Sequence, residues 1–323
     1  AFLKEALGEF SGTVVSGGTT VGVPGCLGVV AEQLAASNSK HFCLLGYIPR
    51  SLPIDARVDE HYENVICGDK EFSPAQVLRG WQDCLAAGVK PADVLVLGFG
   101  GGRIAAFEYR LALALGATVG VVCGTGGAAD ELLKDSLWSG VPGLRLYPLP
   151  SDAKTIRAFV VPDGFKFEAG VLEAMAQEFH ARYVAGNVKK IRPEALKPWG
   201  CLPETYKKAN REQAAFAIRI LKAAGFDVRP VEGTPVVFAD FKPEEIELMA
   251  QLEHGRWNIE RLREDWRPGK VRDDEKKIHN CLVAWSDDKV LTEEIKNYDR
   301  DAVRAFPEIL AKAGLEVFRP AKT

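Results

Sequence analysis

The residues in this chain best placed to do chemistry lie where apolar runs end in glycine. Gly12–Val15 leads into Ser16-Gly17-Gly18-Thr19-Thr20, Asp93–Phe99 into Gly100-Gly101-Gly102-Arg103, and Ala117–Cys123 into Gly124-Thr125-Gly126-Gly127. Glycine lets backbone N–H groups approach an anion, and a helix start adds positive partial charge. In an open α/β sheet, ligands bind outside the carboxyl ends of the strands. The loops together therefore predict one crevice for a phosphate-bearing ligand, most simply a nucleotide. The expected contacts are Ser16, Gly17, Gly18, Thr19, Gly100, Gly101, Gly102, Arg103, Glu108, Gly124, Thr125 and Gly126.

Elements must position these loops. From Ala1 to about Pro150 strand-like and helix-like segments alternate. Strands are predicted at Gly12–Val15, His41–Tyr47, Val65–Cys67, Asp93–Phe99, Thr118–Cys123 and Leu144–Tyr147. Helices are predicted at Gly22–Ala36, Ser73–Ala87, Gly102–Leu115 and Ala128–Trp138. Continuous apolar strands such as Val94-Leu95-Val96-Leu97, separated by helices, imply a parallel sheet buried on both faces. The expected fold is α/β, a Rossmann-like doubly wound parallel sheet, followed by a mainly α-helical domain. Ser151–Ile191 reads as mostly helical, notably Glu168–Ala185. The Pro193…Pro198-Trp199-Gly200 stretch marks a boundary. Beyond it, helices are predicted at Thr205–Ala224, Pro243–Glu264 and Thr292–Ala313. The domains are thus expected at 1–150 and 200–323, with a helical linker at 151–199.

Two named motifs fail. No G-x-x-x-x-G-K-[ST] occurs, which excludes a P-loop NTPase. Gly98-Phe99-Gly100 begins like a dinucleotide fingerprint, but Arg103 stands where the third glycine belongs, which argues against a Rossmann dehydrogenase. In the helix after the second loop, Glu108 interrupts an apolar face made by Ile104, Phe107, Leu111 and Leu115. A carboxylate there needs a partner or a ligand hydroxyl, because an unpaired buried charge is costly. Arg103 suits a bidentate phosphate contact. Alternatively Glu108 pairs with a neighbour such as Arg110, and Thr19 and Thr20 simply cap the next helix.

Val14-Val15-Ser16-Gly17-Gly18-Thr19-Thr20-Val21-Gly22-Val23-Pro24-Gly25 resembles the opening of the SLOG superfamily, in particular the branch at the cytosolic N-terminus of melastatin-type TRP channels. Gly101-Gly102-Arg103 with Glu108 resembles the second signature of that superfamily, Gly-Gly-x-Gly-Thr-x-x-Glu, with Ile104 and Ala105 in place of Gly-Thr. The resemblance implies a nucleotide site. Some members cleave a nucleoside monophosphate from its base using the motif Glu; others bind ADP-ribose or cyclic ADP-ribose and signal. The lost Gly-Thr tilts the expectation from cutting towards sensing. Glu108 and Arg103 remain the catalytic candidates should the protein be an enzyme.

Leu248–Val317 resembles a RyR domain, the module repeated in ryanodine receptors and found alone in many bacterial proteins. The residues are Glu253-His254-Gly255-Arg256-Trp257, Trp266-Arg267-Pro268-Gly269, Val271 to Val283 and Tyr298-Asp299-Arg300-Asp301-Ala302-Val303-Arg304. Arg267-Pro268-Gly269 replaces a frequent Thr-Tyr-Gly, losing an aromatic contact. Aromatics beside arginines suit a base and a phosphate. Candidate contacts are therefore Arg256, Trp257, Arg272, Tyr298 and Arg300, against a reading of buried tryptophans, ion pairs and caps. No Ca²⁺ loop is present, and His279 with Cys281 lacks further ligands at metal spacing, so no metal is expected.

The 323 residues are 47% hydrophobic and 26% charged, with a net charge of −3, which gives no reason to expect nucleic-acid binding. No apolar run is long enough to span a membrane. The 7 cysteines form no C-x-x-C pair and fit reduced thiols in a cytoplasm-like compartment. No signal peptide is seen. A start at Ala1 without Met suggests a longer protein with a missing N-terminal effector domain. The leading expectation is a cytoplasmic sensor of an ADP-ribose-like or cyclic nucleotide messenger, homo-oligomeric as SLOG relatives commonly are, in bacterial defence signalling. No other cofactor is required. The alternatives are a nucleotide N-glycosidase and a protein-interaction module without a ligand.

Overall fold

The computed structural model describes residues 2–161, 167–186, 193–231, 233 and 240–320. By their contacts these fall into two units. The first is Ala1–Val161 with Arg261–Ser286, and the second is Pro162–Glu260 with Asp287–Thr323.

The first unit opens with α1 (Phe2–Leu7), β1 (Ser11–Ser16), α2 (Gly22–Ala36), β2 (His41–Ile48) and β3 (Glu63–Ile66). It continues with α3 (Pro74–Ala86), β4 (Leu95–Gly98), α4 (Arg103–Leu115), β5 (Thr118–Val122), α5 (Gly127–Lys134), β6 (Leu146–Leu149) and α6 (Ala153–Val160). Local signals set several boundaries. Ser73 caps α3 in a reciprocal box with Gln76, and Pro74 occupies the first turn, where its missing N–H costs nothing. Gly116 ends α4 in the left-handed conformation, at φ 91°.

The expected single doubly wound sheet is found as two three-stranded parallel sheets, ordered β1-β2-β3 and β4-β5-β6. Strands β1 and β4 each pair on one side only among the described residues. Val15 of β1 stays 43% exposed and Leu95 of β4 37% exposed, where the centre of a continuous sheet would cover them. The β4-β5-β6 sheet is the better buried. All of β5 is buried, and Trp81, Tyr109, Leu113, Ala129 and Leu132 from α3, α4 and α5 pack into one cluster with Val119 and Val121. Each large apolar side chain so buried contributes roughly 1.5–3 kcal/mol.

The remaining elements are α7 (Ala169–Gly186), α8 (Glu204–Ala223), β7 (Asp227–Pro230), α9 (Pro243–Arg263), β8 (Arg267–Pro268), β9 (Ile278–His279), α10 (Glu293–Arg304), α11 (Phe306–Lys312) and β10 (Leu315–Phe318). Strands β8 and β9 belong to the first unit. In the second unit α7 packs on α8, and Phe306 of α11 meets Phe179 of α7 edge-on at 5.9 Å. Strands β7 and β10 form an antiparallel pair that the sequence reading did not anticipate. The single helix expected over Thr292–Ala313 is broken into α10 and α11 at Ala305. Pro307 explains the break: it has no N–H to donate and its ring crowds the carbonyl four residues back. The expected boundary stretch from Pro193 to Gly200 holds two short 3-10 turns, Pro193–Leu196 and Trp199–Cys201.

Candidate functional site

Loops two and three are built as one piece. Strands β4 and β5 are parallel neighbours, so both loops leave the same edge of the sheet. The Gly100 N–H donates to Thr125 Oγ1 at 2.9 Å, and that hydroxyl donates to the Val122 carbonyl at 2.7 Å. The Ala128 and Ala129 N–H groups at the start of α5 donate to the Gly101 and Gly100 carbonyls, both at 2.9 Å. A Cβ on Gly127 would run into the Gly101 carbonyl, so the close approach needs glycine. Two backbone donors of loop three are also taken. Gly124 N–H and Gly126 N–H donate to the two oxygens of the Asp130 carboxylate at 2.9 and 3.0 Å. Of the expected contacts in this loop, the Gly124 and Gly126 N–H groups and the Thr125 hydroxyl are bonded within the protein.

The entrance of α4 is the opposite case. Gly102 is its N-cap and no side chain caps it. The N–H groups of Gly101, Gly102, Arg103 and Ile104 meet no acceptor among the described residues. Gly102 has an ordinary φ of −105° and open space where a Cβ would stand, so the fold itself does not require glycine there. Arg103 is exposed and in no ion pair among the described residues. A helix start with open donors and a guanidinium is an arrangement with the chemistry to hold an anion.

Glu108 lies one turn and a half further along α4. It is densely surrounded yet half-buried rather than sealed, and burial alone pushes its carboxyl above the ordinary range. No described side chain pairs with it. Arg110, the partner considered from the sequence, bonds Asp135 at 3.0 Å and the Ala106 carbonyl at 3.1 Å. The next residue, Tyr109, is buried and its phenol is pushed up to about 12 by burial and then by the Glu108 charge. Its ring lies where a Cβ on Gly98 would stand, which props the base of loop two. A carboxyl held towards its neutral form can donate a hydrogen bond or a proton to a bound group.

Loop one ends β1, in the other sheet. Gly18 and Thr19 are buried there. Thr19 bridges Val58, the Thr20 N–H donates to the Arg57 carbonyl, and the Asp59 N–H donates to the Gly18 carbonyl. Gly18 adopts φ 66°, and a Cβ on it would run into Asn64 Oδ1. Thr19 and Thr20 do not cap α2; Val21 is the N-cap, with no side-chain bond. The Ser16 hydroxyl meets the Tyr62 phenol, which also donates to the Pro24 carbonyl at 2.8 Å. Only Gly17 and Ser16 of this loop remain half-exposed among the expected contacts.

The candidate residues of the last hundred positions divide between the units. Arg256 is buried between two carboxylates of its own helix. It makes a double bond to Glu253, both contacts at 2.8 Å, and a further one to Glu260. Burial works against its charge, but the two carboxylates outweigh this and keep the guanidinium protonated. Arg300 bonds Glu247 at 2.8 Å and Glu293 at 2.7 Å. Trp257 stacks on His254, with ring centres 5.7 Å apart, and Tyr298 is 54% exposed. Arg272 belongs to the first unit, where it bonds Asp274 at 2.6 Å and lies over the Trp266 ring. Trp266 and Trp285 are buried.

Asp130, Asn64 and the Glu253 and Glu260 pair were missed as organisers of these loops and helices. Asp130 could have been found: an acid in the first turn after a glycine-rich loop is a known partner of loop N–H groups. Asn64 carried no such local signal. Among the described residues no helix is long and apolar enough to cross a membrane, and no three His, Cys, Asp or Glu side chains group as for a metal.

No curated protein matches the chain. Residues 226–319, from just before β7 to just after β10, match the family model of the RyR domain.

Proposed function

We propose that this protein senses a nucleotide-derived ligand through the entrance of α4. The single observation that carries the reading is the unpaired Glu108 carboxyl set beside an uncapped helix start with an unpaired arginine. The open N–H groups and Arg103 take a phosphate; Glu108 takes a hydroxyl of the attached sugar. The two sheet orders support the finer SLOG reading, because β3-β2-β1 and β4-β5-β6 set edge to edge at β1 and β4 would give the strand order 3-2-1-4-5-6 of a doubly wound nucleotide-binding sheet. The ligand class is an ADP-ribose-like or cyclic nucleotide messenger, and the RyR-matching stretch passes the bound state on to assembly or a partner, as in bacterial defence signalling. Titration calorimetry of the whole chain with ADP-ribose, cyclic ADP-ribose, adenosine monophosphate and cyclic dinucleotides tests this. Saturable heat with one of them, lost in Arg103→Ala and Glu108→Ala, is the expected result. Absence of heat with all of them ends the reading.

A second reading is a nucleotide N-glycosidase. The raised carboxyl of Glu108 favours it, since a protonated acid can assist departure of a base. Release of free base on incubation, absent in Glu108→Gln, distinguishes it from sensing.

A further inference from the structure

Strands β1 and β4 each pair on one side only among the described residues, yet the helices around them already join the two sheets. On one face α3 holds both. The Tyr47 phenol of β2 donates to Asp83 of α3 at 3.0 Å, and Trp81 of the same helix is buried in the cluster around Val119 and Val121 of β5. On the other face a Cβ on Gly120 of β5 would run into Phe159 of α6, because neighbouring residues of a strand point to opposite sides. There α1 packs on both α2 and α6, and Glu5 and Glu9 bond Lys154 and Arg157 of α6, both at 2.7 Å. Helix α2 thus shares a face with α1 and α6, while α3, α4 and α5 share the other. Right-handed crossovers give that division when all six strands run the same way and the order turns between β1 and β4, which would set their free edges towards each other.

The backbone groups on those edges follow from the ladders. The Cys67 N–H donates to the Ile48 carbonyl at 2.8 Å, and successive residues of a parallel strand turn their polar groups to alternate sides. Leu44, Gly46 and Ile48 of β2 thus serve β3, and Cys43, Leu45 and Tyr47 serve β1. In the observed register the latter take Gly12, Val14 and Ser16, which leaves Thr13 and Val15 on the free edge of β1. The Thr118 N–H donates to the Val94 carbonyl at 3.0 Å, so Val94, Val96 and Gly98 serve β5 and Leu95 and Leu97 line the free edge of β4. The N–H groups of these four residues meet no acceptor among the described residues. Two apolar side chains, Val15 and Leu95, stand exposed on these edges, and neither edge carries the charge or proline that usually blunts one.

We propose that the gap between β1 and β4 is a moving joint. It stands open in this structure, and it zips shut when Thr13 and Val15 pair in parallel with Leu95 and Leu97. Closing covers both edges and completes one six-stranded sheet. It also carries loop one, at the end of β1, to the side of loop two, at the end of β4. The open form keeps these glycine loops apart, and the closed form presents them together. The joint belongs to the chain alone, so its failure leaves the nucleotide reading to its own test.

Relaxation-dispersion NMR of the backbone amides, on the whole chain without added ligand, tests this. Thr13, Val15, Leu95 and Leu97 are expected to exchange on the microsecond-to-millisecond scale, with one shared rate and a minor form of up to about 10%. Val119 and Val121, in the middle strand of the second sheet, are expected to give flat profiles. Val15→Pro removes one N–H from the free edge and spares the ladder between β1 and β2, a place where a strand tolerates proline. In this variant the exchange at Leu95 and Leu97, on the opposite strand, is expected to vanish, while the Val14 and Val96 N–H groups stay protected from solvent. Leu95→Pro is the converse, read at Thr13 and Val15, and serves if the first variant does not fold. Flat profiles at all four residues of the wild type overturn the inference, whether the gap is then fixed open or fixed shut. Exchange that persists across the gap in a folded proline variant overturns it too, since each edge would then move by itself.

Discussion

In α9, Arg256 lies between Glu253 and Glu260, buried with both; in α4, Arg103 and Glu108 share a helix and pair with nothing described. The residue types are the same and the spacing similar. In α9 the charges neutralise one another before any ligand arrives, so that helix is fixed and closed. In α4 the burial of the Glu108 carboxyl meets no compensating partner among the described residues, while the open N–H groups of Gly101, Gly102 and Arg103 stand in water. Residue type alone therefore does not tell a paired arginine from an open one; the partners do.

The comparison can be broken most forcefully at α9. Arg256→Ala leaves two buried carboxylates without their partner and is expected to cost about 3–5 kcal/mol in denaturant unfolding. A loss below about 1 kcal/mol, the scale of an exposed pair, would show that the triad is not what holds that helix. Next is the glycine of loop one. Gly18→Ala forces a left-handed alanine against Asn64 and should cost more than the 1–2 kcal/mol of the conformation alone, about. Asn64→Ala in the same chain should restore part of it, measured as a coupling in a double-mutant cycle; no coupling means that Gly18 answers to something other than Asn64. Thr125→Val removes one bond between loops two and three and one from loop three to the end of β5, and is expected to cost about 1–3 kcal/mol, read from the unfolding midpoint.

The smallest effect has the most telling sign. The carboxyl of Glu108 is pushed up in the folded protein, so its ionisation opposes folding. Below the unfolded carboxyl range the group is protonated in both states and exerts no pull. As pH rises through that range and past the folded value, stability is lost and stays lost. Glu108→Gln should therefore match the wild type at acid pH and exceed it in stability at neutral pH, by thermal melts across a pH series. A neutral-pH destabilisation would mean that Glu108 has a partner and that α4 resembles α9 after all.

Much of the first half was legible in the sequence. Helix α2 occupies Gly22–Ala36 as expected, and the glycine loops do stand at the carboxyl ends of β1, β4 and β5, because turn chemistry and apolar periodicity are local. The break at Ala305 was also local, written in Pro307, and was overrun by a long amphipathic pattern. What could not be read was partnership. Glu108 looked as able to pair with Arg110 as to stay open, since Asp135, the residue that takes Arg110, lies 25 positions away. Gly18 and Thr19 looked like ligand contacts because the strap from Arg57 to Asn64 that covers them is set by tertiary contacts. The pairing of β7 with β10 joins strands from the two ends of the RyR-matching stretch, and no window along the chain contains both.

The match over residues 226–319 and the division of contacts do not coincide. Arg261–Ser286, inside that match, clusters with Ala1–Val161, and Tyr147 of β6 feels the charges of Arg263, Asp265 and Arg267. The piece that matches the family model is thus not the piece that closes as a unit. Residues 226–319 cut out on their own would leave Arg261–Ser286 without the rest of the unit it clusters with, so the matching stretch is not expected to fold as the same structure when excised.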